Sequence, residues 1–345
     1  MKKTLILFLA AAAVLTGCTK TAKSGPNDAA KRYFDSWIHI NHPDARRTPL
    51  GVYVLDGKTG TGELCGDCDN YPFVRLEYTV RNLDGTITET TRETVAKQLG
   101  TYDPTYYYGP DVTYRGNNSL YVGVEEVLDT MRVGGSTTIV IPGWLVTNKQ
   151  FATEDEYLAN VTGDSQIYEF TVTECIKDIK KWETDSIARY LAANFPEVNP
   201  ADTVSSGDDD FKKYGFYFIR TGEPTSEKKM PSDTTFHINY TGRLLNGRVF
   251  DTTIKDTAKV YGLYTAGKKY EPVLINMAEE YTGVTMSSDE TKVIDGFAYA
   301  LYQMHPYEKC TCIFYSGIGY GYSGSGNAIP AYSPLRFDLE IVDEN

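Results

Sequence analysis

The chain of 345 residues is 41% hydrophobic, long enough to fill two cores of roughly 150 residues each. Its 34 basic residues are outnumbered by 46 acidic ones, and a net charge of -12 sets the surface against phosphates and anionic headgroups, so nucleic acid is excluded as the expected partner. Its 27 tyrosines favour strands and half-wet aromatic grooves.

At the start, Lys2 and Lys3 precede the apolar run Leu5 to Val14, and Leu15-Thr16-Gly17-Cys18 follows, the pattern of a bacterial lipoprotein signal peptide. The run is too short to span a bilayer permanently. Residues 1–17 are therefore expected to be removed and Cys18 to be lipidated, with residues 18–27 a polar linker and the lipid the contact with the membrane. In the lipoproteins this segment resembles, Asp after the cysteine favours the inner membrane. Thr19 points instead to the outer membrane of the cell envelope, facing the periplasm.

Past the linker the chain repeats itself. Lys31 to Ile38 reads as a short helix ended near Pro43; Ala188 to Leu191, capped by Asp185 or Ser186 and ended at Pro196, reads the same. Each precedes a strand, Gly51 to Leu55 and Gly215 to Ile219. Glu77 to Val80 with the turn Asp84-Gly85 returns as Asn239 to Gly242 with Asn246-Gly247, and Gly123 to Met131 returns as Gly296 to Met304. Four elements in one order argue for a duplication, with units at 28–179 and 180–345. In the second unit Phe236, Ile238 and Tyr240 alternate with polar neighbours, as do Leu335, Phe337, Leu339 and Ile341, the period of half-buried strands. Ile294, Phe297, Ala300, Leu301 and Met304 face one side of a helix, as do Val124, Val127, Leu128 and Met131. Each unit is thus read as α+β, a twisted antiparallel sheet wrapped on one short helix.

Cys65-Gly66-Asp67-Cys68 has the spacing of a redox motif or half a zinc site, but no βαβ context and no nearby second pair or His completes either. A disulfide between Cys65 and Cys68 is the expectation, with Cys175, Cys310 and Cys312 buried thiols. His39, His42, His237 and His305 keep no company that suggests a triad or a metal.

Three separated segments, Asn239-Tyr240-Thr241-Gly242 to Thr253, Val293-Ile294-Asp295-Gly296-Phe297 to Met304, and Tyr320-Gly321 to Ile341, resemble the FKBP-type peptidyl-prolyl isomerases in the family's own order. The resemblance implies two FKBP-like domains, a prolyl isomerase site in the second, and no metal or cofactor. It puts Tyr240, Phe250 and Phe337 in the aromatic walls of the pocket, Val293 and Ile294 at its rim, and Phe297 at the floor where most members carry Trp. Tyr320 takes the position whose hydroxyl donates to the bound carbonyl, Asp251 that of the acid near the twisted amide, and Ile329 that of the apolar residue on the overlying loop. Residues 254–292 stand where the family has a short link and are open as a lid, a partner surface or an obstruction. The first unit keeps Tyr78 but has Thr88 and Glu89 for Phe250 and Asp251, and Val124 for the floor, so it is expected to be a degenerate copy lacking the pocket. The function implied is isomerisation of proline-containing polypeptides, assisting the folding of exported proteins. The alternative is a non-catalytic binding module or chaperone that holds a partner in the cleft and insertion.

Overall fold

The computed structural model describes residues 25–66, 69–116, 119–198, 215–286 and 291–343; the leader with Cys18, and Cys68, lie outside the described residues. Two antiparallel sheets follow one plan. The first contains β1 (Arg46–Arg47), β2 (Tyr53–Lys58), β3 (Phe73–Asn82), β4 (Ile87–Thr90), β5 (Asp111–Tyr114), β6 (Ser136–Ile141) and β7 (Gln166–Ile176) in the order β1-β2-β6-β7-β3-β4, with β5 also on β3. The second contains β8 (Phe216–Gly222), β9 (Thr235–Leu244), β10 (Val249–Thr252), β11 (Val273–Asn276), β12 (Thr285–Met286), β13 (Thr291–Lys292), β14 (Lys309–Phe314) and β15 (Leu335–Val342) in the order β13-β12-β11-β9-β15-β14-β8, with β10 also on β9. Stripped of edge additions, β2-β6-β7-β3 and β8-β14-β15-β9 are the same arrangement, and β4 with β5 flanks β3 as β10 with β11 flanks β9. The fold class is α+β. Around the sheets lie α1 (Asp28–Asn41), α2 (Glu93–Leu99), α3 (Val122–Leu128), α4 (Glu154–Asn160), α5 (Ile179–Asn194), α6 (Lys255–Val260) and α7 (Asp295–Gln303).

The strands form where the apolar period says they should. On β15 Leu335, Phe337, Leu339 and Ile341 are buried and their neighbours are not. On β9 the even positions Phe236, Ile238, Gly242 and Leu244 are buried while Tyr240 stays half-buried, because it lines a cleft. β3 repeats this, with Val74, Leu76 and Val80 buried and Tyr78 half-buried. One core gathers Phe216, Ile238, Phe297, Leu301, Phe314 and Phe337; the other gathers Phe34, Val52, Leu128, Ile139, Trp144 and Phe170.

α7 is buried on more than the predicted stripe, since Ala298 and Tyr299 are enclosed as well. The reason is the segment between β10 and α7. It supplies β11 to β13 at the sheet edge and buries Met277 and Val284 in the core, and its Tyr281 ring meets Tyr299 at 6.0 Å. At the entry to α7 a Cβ on Gly296 would sit 2.5 Å from Phe314, and on the matching Gly123 at the entry to α3 it would sit 2.5 Å from Ile141. Both helices are pulled against their sheets by the absence of a side chain.

Two expectations need correction. Cys65 is bonded to Cys175, not to Cys68. Cys65 donates its amide to Met131 O at 2.9 Å and β3 pairs Val74 with Cys175, which brings the two Cα atoms to 5.5 Å, within the reach of a disulfide. Cys310 and Cys312 are buried thiols on β14, and burial pushes both up in pKa. The second correction concerns α5, which starts well before the predicted cap: Asp178 accepts from the Lys181 amide at 3.0 Å, whereas Asp185 pairs with Lys181 one turn on.

α5 lies on the outer face of the second sheet, where Ile187 and Leu191 meet Tyr217 and Ile313. Its Glu183 is buried and accepts from the Ser316 amide at 2.6 Å and hydroxyl at 2.8 Å. Burial pushes this carboxyl from 4.5 up to about 7, against the two hydrogen bonds. The folded state therefore holds a proton that the unfolded chain has released between those values, so the contribution of Glu183 to stability is full below pH 4.5 and is lost, by at most about 3 kcal/mol, as pH rises to about 7. Urea unfolding across that window should show the slope in the native chain and a flatter one in Glu183→Gln; equal slopes would refute the assignment.

Candidate active site

The cleft on the second sheet starts from a hairpin. Asn246-Gly247 makes the turn, with Gly247 at φ 89° and the Arg248 amide donating to Asn246 Oδ1 at 3.0 Å. The returning β10 pairs Val249 with Arg243 and Asp251 with Gly242, so Phe250 is a bulge. In a regular strand adjacent side chains point to opposite faces; the bulge lets Phe250 and Asp251 both line the cleft. Gly242 makes room beneath them, since a Cβ there would meet the Phe250 ring at 2.5 Å and the Phe337 ring at 2.9 Å.

Phe337 sits at the centre of an aromatic cup. Its ring lies 5.1 Å from Phe297 and 5.6 Å from Phe250, both edge-on, and 6.3 Å from Tyr240, while Tyr240 meets Phe297 edge-on at 5.7 Å. Phe297 comes from the first turn of α7, with Val293 and Ile294 just before it. Tyr320 lies within a turn closed by the Gly321 amide donating to Ser316 O at 2.8 Å, and Ile329 is held by a tight loop in which the Ser325 amide donates to Ile329 O at 2.8 Å. The nine predicted pocket residues, Tyr240, Phe250, Asp251, Val293, Ile294, Phe297, Tyr320, Ile329 and Phe337, line one cleft of about 500 Å³.

The polar side of the cleft is ordered too. Tyr240 donates its hydroxyl to Asp251 Oδ2 at 2.5 Å, and Asp251 Oδ1 accepts from the Thr252 amide at 2.9 Å and pairs with Lys268 at 3.1 Å. Burial, reinforced by the Asp251 charge, raises the Tyr240 pKa, and the same two causes raise that of Tyr320, so both phenols stay protonated donors at neutral pH. Sequence reasoning missed Lys268, and it missed Met286, Thr291 and Lys292, which add a wall from within the 254–292 segment. Such contributions have no local signal because that segment reaches the cleft only through sheet pairing. Among the described residues no group of three His, Cys, Asp or Glu is placed to hold a metal.

The first unit, expected to lack the aromatic pocket of the second, still has a cleft. A cleft of about 300 Å³ remains there, lined by Tyr78, Glu89, Tyr121, Val124, Tyr168 and Phe170 among others. Tyr78 donates to Glu89 at 2.6 Å as Tyr240 does to Asp251, and the bulge at Thr88 matches that at Phe250. What is missing is the aromatic pair at the Phe250 and Phe297 positions.

The cleft lies wholly inside one recognisable stretch. Residues 226–342 match the model of the FKBP-type peptidyl-prolyl cis-trans isomerase family. The chain is 30% identical over 124 residues to the bovine "Peptidyl-prolyl cis-trans isomerase FKBP11", covering 36% of this chain and 48% of that protein. It is 27% identical over 128 residues to the "Macrophage infectivity potentiator" of Trypanosoma cruzi, covering 37% and 52%. The chain thus spans about half the length of these curated relatives. Among solved structures, the three FKBP domains of wheat FKBP73 align at 16% identity with a TM-score of 0.30, covering 85% of this chain and 94% of that one. The FKBP-type stretch holds all nine pocket residues, and β1 to β7 lie outside it.

Proposed function

We propose that the chain is a peptidyl-prolyl cis-trans isomerase working through the cleft of the second sheet, and that a lipid on Cys18 tethers it to the outer membrane, where it assists exported proteins as they fold. The observation that carries this reading is the convergence of Tyr240, Phe250, Phe297 and Phe337 with the Tyr240–Asp251 hydrogen bond in one cleft of the FKBP-type stretch. Rotation about an X-Pro bond meets a barrier of about 18 to 20 kcal/mol because amide resonance is lost. No covalent step is needed to lower it. In this reading an aromatic cup takes the prolyl ring and excludes water, Tyr320 in the cleft wall serves as donor to the preceding carbonyl, and the twisted amide is favoured over either planar isomer.

The test is isomerisation of an apolar-X-Pro peptide by the full chain. Faster cis-trans exchange that titrates with the protein supports the reading, and a folded protein with no effect on the rate overturns it. For the tether, Cys18→Ala is expected to move the protein from the membrane fraction to the soluble one; unchanged partitioning removes the lipid. A second reading, a binding module that holds proline-containing segments without turning them over, is favoured by the Lys268–Asp251 pair and the wall from Met286, Thr291 and Lys292. It predicts saturable peptide binding with no rate effect.

A further inference from the structure

The loop over the cleft has two sides. Ser325, Ala328 and Ile329 face the cleft, while Gly326, Asn327 and Pro330 face the first unit across a shared cavity of about 430 Å³. There the Tyr107 amide donates to Asn327 O at 2.6 Å, and Phe73 meets the Tyr332 ring edge-on at 5.2 Å. Tyr332 carries a φ of 55°, a conformation a non-glycine residue holds only where its surroundings impose it. The hairpin that carries Phe250 is held by the same neighbour: Arg248 donates to Pro104 O at 2.6 Å.

Tyr107 and Pro104 belong to one short segment, Thr101 to Pro110, between α2 and β5. The segment is internally braced. Asp103 accepts from the Thr105 amide at 2.8 Å and hydroxyl at 2.7 Å, the Asp103 amide donates to the Tyr108 hydroxyl at 3.1 Å, and the Tyr107 hydroxyl donates to Pro110 O at 3.1 Å. Tyr107 packs against the core of the second sheet. A tyrosine-rich loop of one unit thus touches two elements, a hairpin and a loop, that frame the cleft of the other.

We propose that this 101–110 segment is a positioning element for the second unit's site, holding the 324–332 loop and the β9–β10 hairpin in the geometry that receives a peptide. The inference rests on the reading that this cleft binds prolyl segments. A loop that is ordered before binding does not have to be ordered by the substrate, so its loss falls on KM rather than on the chemical step. Tyr107 acts through its ring, which packs against the second sheet's core and, by its hydroxyl on Pro110 O, fixes the backbone amide that holds Asn327 O; Arg248 acts through Pro104 O, and both are positioning residues.

The experiment uses the full chain with Tyr107→Ala, Arg248→Ala and Arg248→Lys. Amide hydrogen exchange within 324–332 is expected to quicken about tenfold in Tyr107→Ala, and exchange in the Arg248–Phe250 hairpin to quicken likewise in Arg248→Ala, while β7 amides keep their native protection. KM for an X-Pro peptide should rise about fivefold in both alanine variants with kcat within about twofold, and Arg248→Lys, which keeps a donor for Pro104 O, should recover most of the loss. Native exchange rates at both places in folded variants would overturn the proposal. Should Tyr107→Ala not fold, the hairpin exchange in Arg248→Ala decides alone. A chain without isomerase activity would count against the proposed function only, since the exchange measurement is made without substrate.

Discussion

Phe250→Ala is expected to lower kcat/KM for prolyl isomerisation by about 10- to 100-fold while the protein stays folded. The ring is half-buried over Gly242 and edge-on to Phe337, so it forms wall rather than core. Under the proposed function its removal takes away apolar contact with a prolyl ring of about 1.5 to 3 kcal/mol and opens the cup to water, and each 1.4 kcal/mol is a factor of ten in rate. The bulge that aims it is set by β9 and β10 pairing, which an alanine leaves intact. Isomerisation kinetics and thermal unfolding on the same preparation check this. Unchanged kcat/KM in a folded variant would remove Phe250 from the site.

Cys175→Ser is expected to cost about 4 to 5 kcal/mol of stability in the first unit, and Cys65→Ser about the same. The bond closes a loop with a sequence separation of 110, ties the 59–66 excursion to β7, and leaves the unfolded chain far fewer conformations. The double variant should lose no more than either single one, because the two residues make one interaction. Denaturant unfolding measures the loss, and peptide mapping under non-reducing conditions identifies the pairing. A Cys65–Cys68 peptide in that map would return the bond to the local loop.

Much of this was legible in the chain and some of it was not, for physical reasons. β15 and β9 announce themselves through period-two burial, and Asn246-Gly247 through the need for positive φ, so the strands and hairpin that frame the cleft were readable from local sequence. The pocket aromatics were readable by their order along three segments. The partner of Cys65 was not, because it depends on the register of β3 against β7 across a sequence separation of 110, while Cys68 stands close by in the sequence. The 254–292 segment was legible as extra chain but not as sheet, since β11 to β13 span only two to four residues each and acquire their state from pairing. The cleft of the first unit has a weaker signal, the eleven-residue spacing of Tyr78 and Glu89 that matches Tyr240 and Asp251 without the aromatics.

The two thiols on β14 bear on how the whole chain refolds. Cys175 is separated from Cys310 by only a slightly longer stretch than from Cys65, and closure entropy changes by about 0.6 kcal/mol per doubling of a loop, so an unfolded chain has almost no preference between the right crosslink and a wrong one. Selection has to come from shielding. β14 lies between β8, which precedes it, and β15, which follows it. A complete chain refolding from the unfolded state therefore leaves Cys310 and Cys312 open to thiol exchange until β15 pairs with β14, and fidelity of a bond in the first unit then depends on how promptly the second completes its sheet.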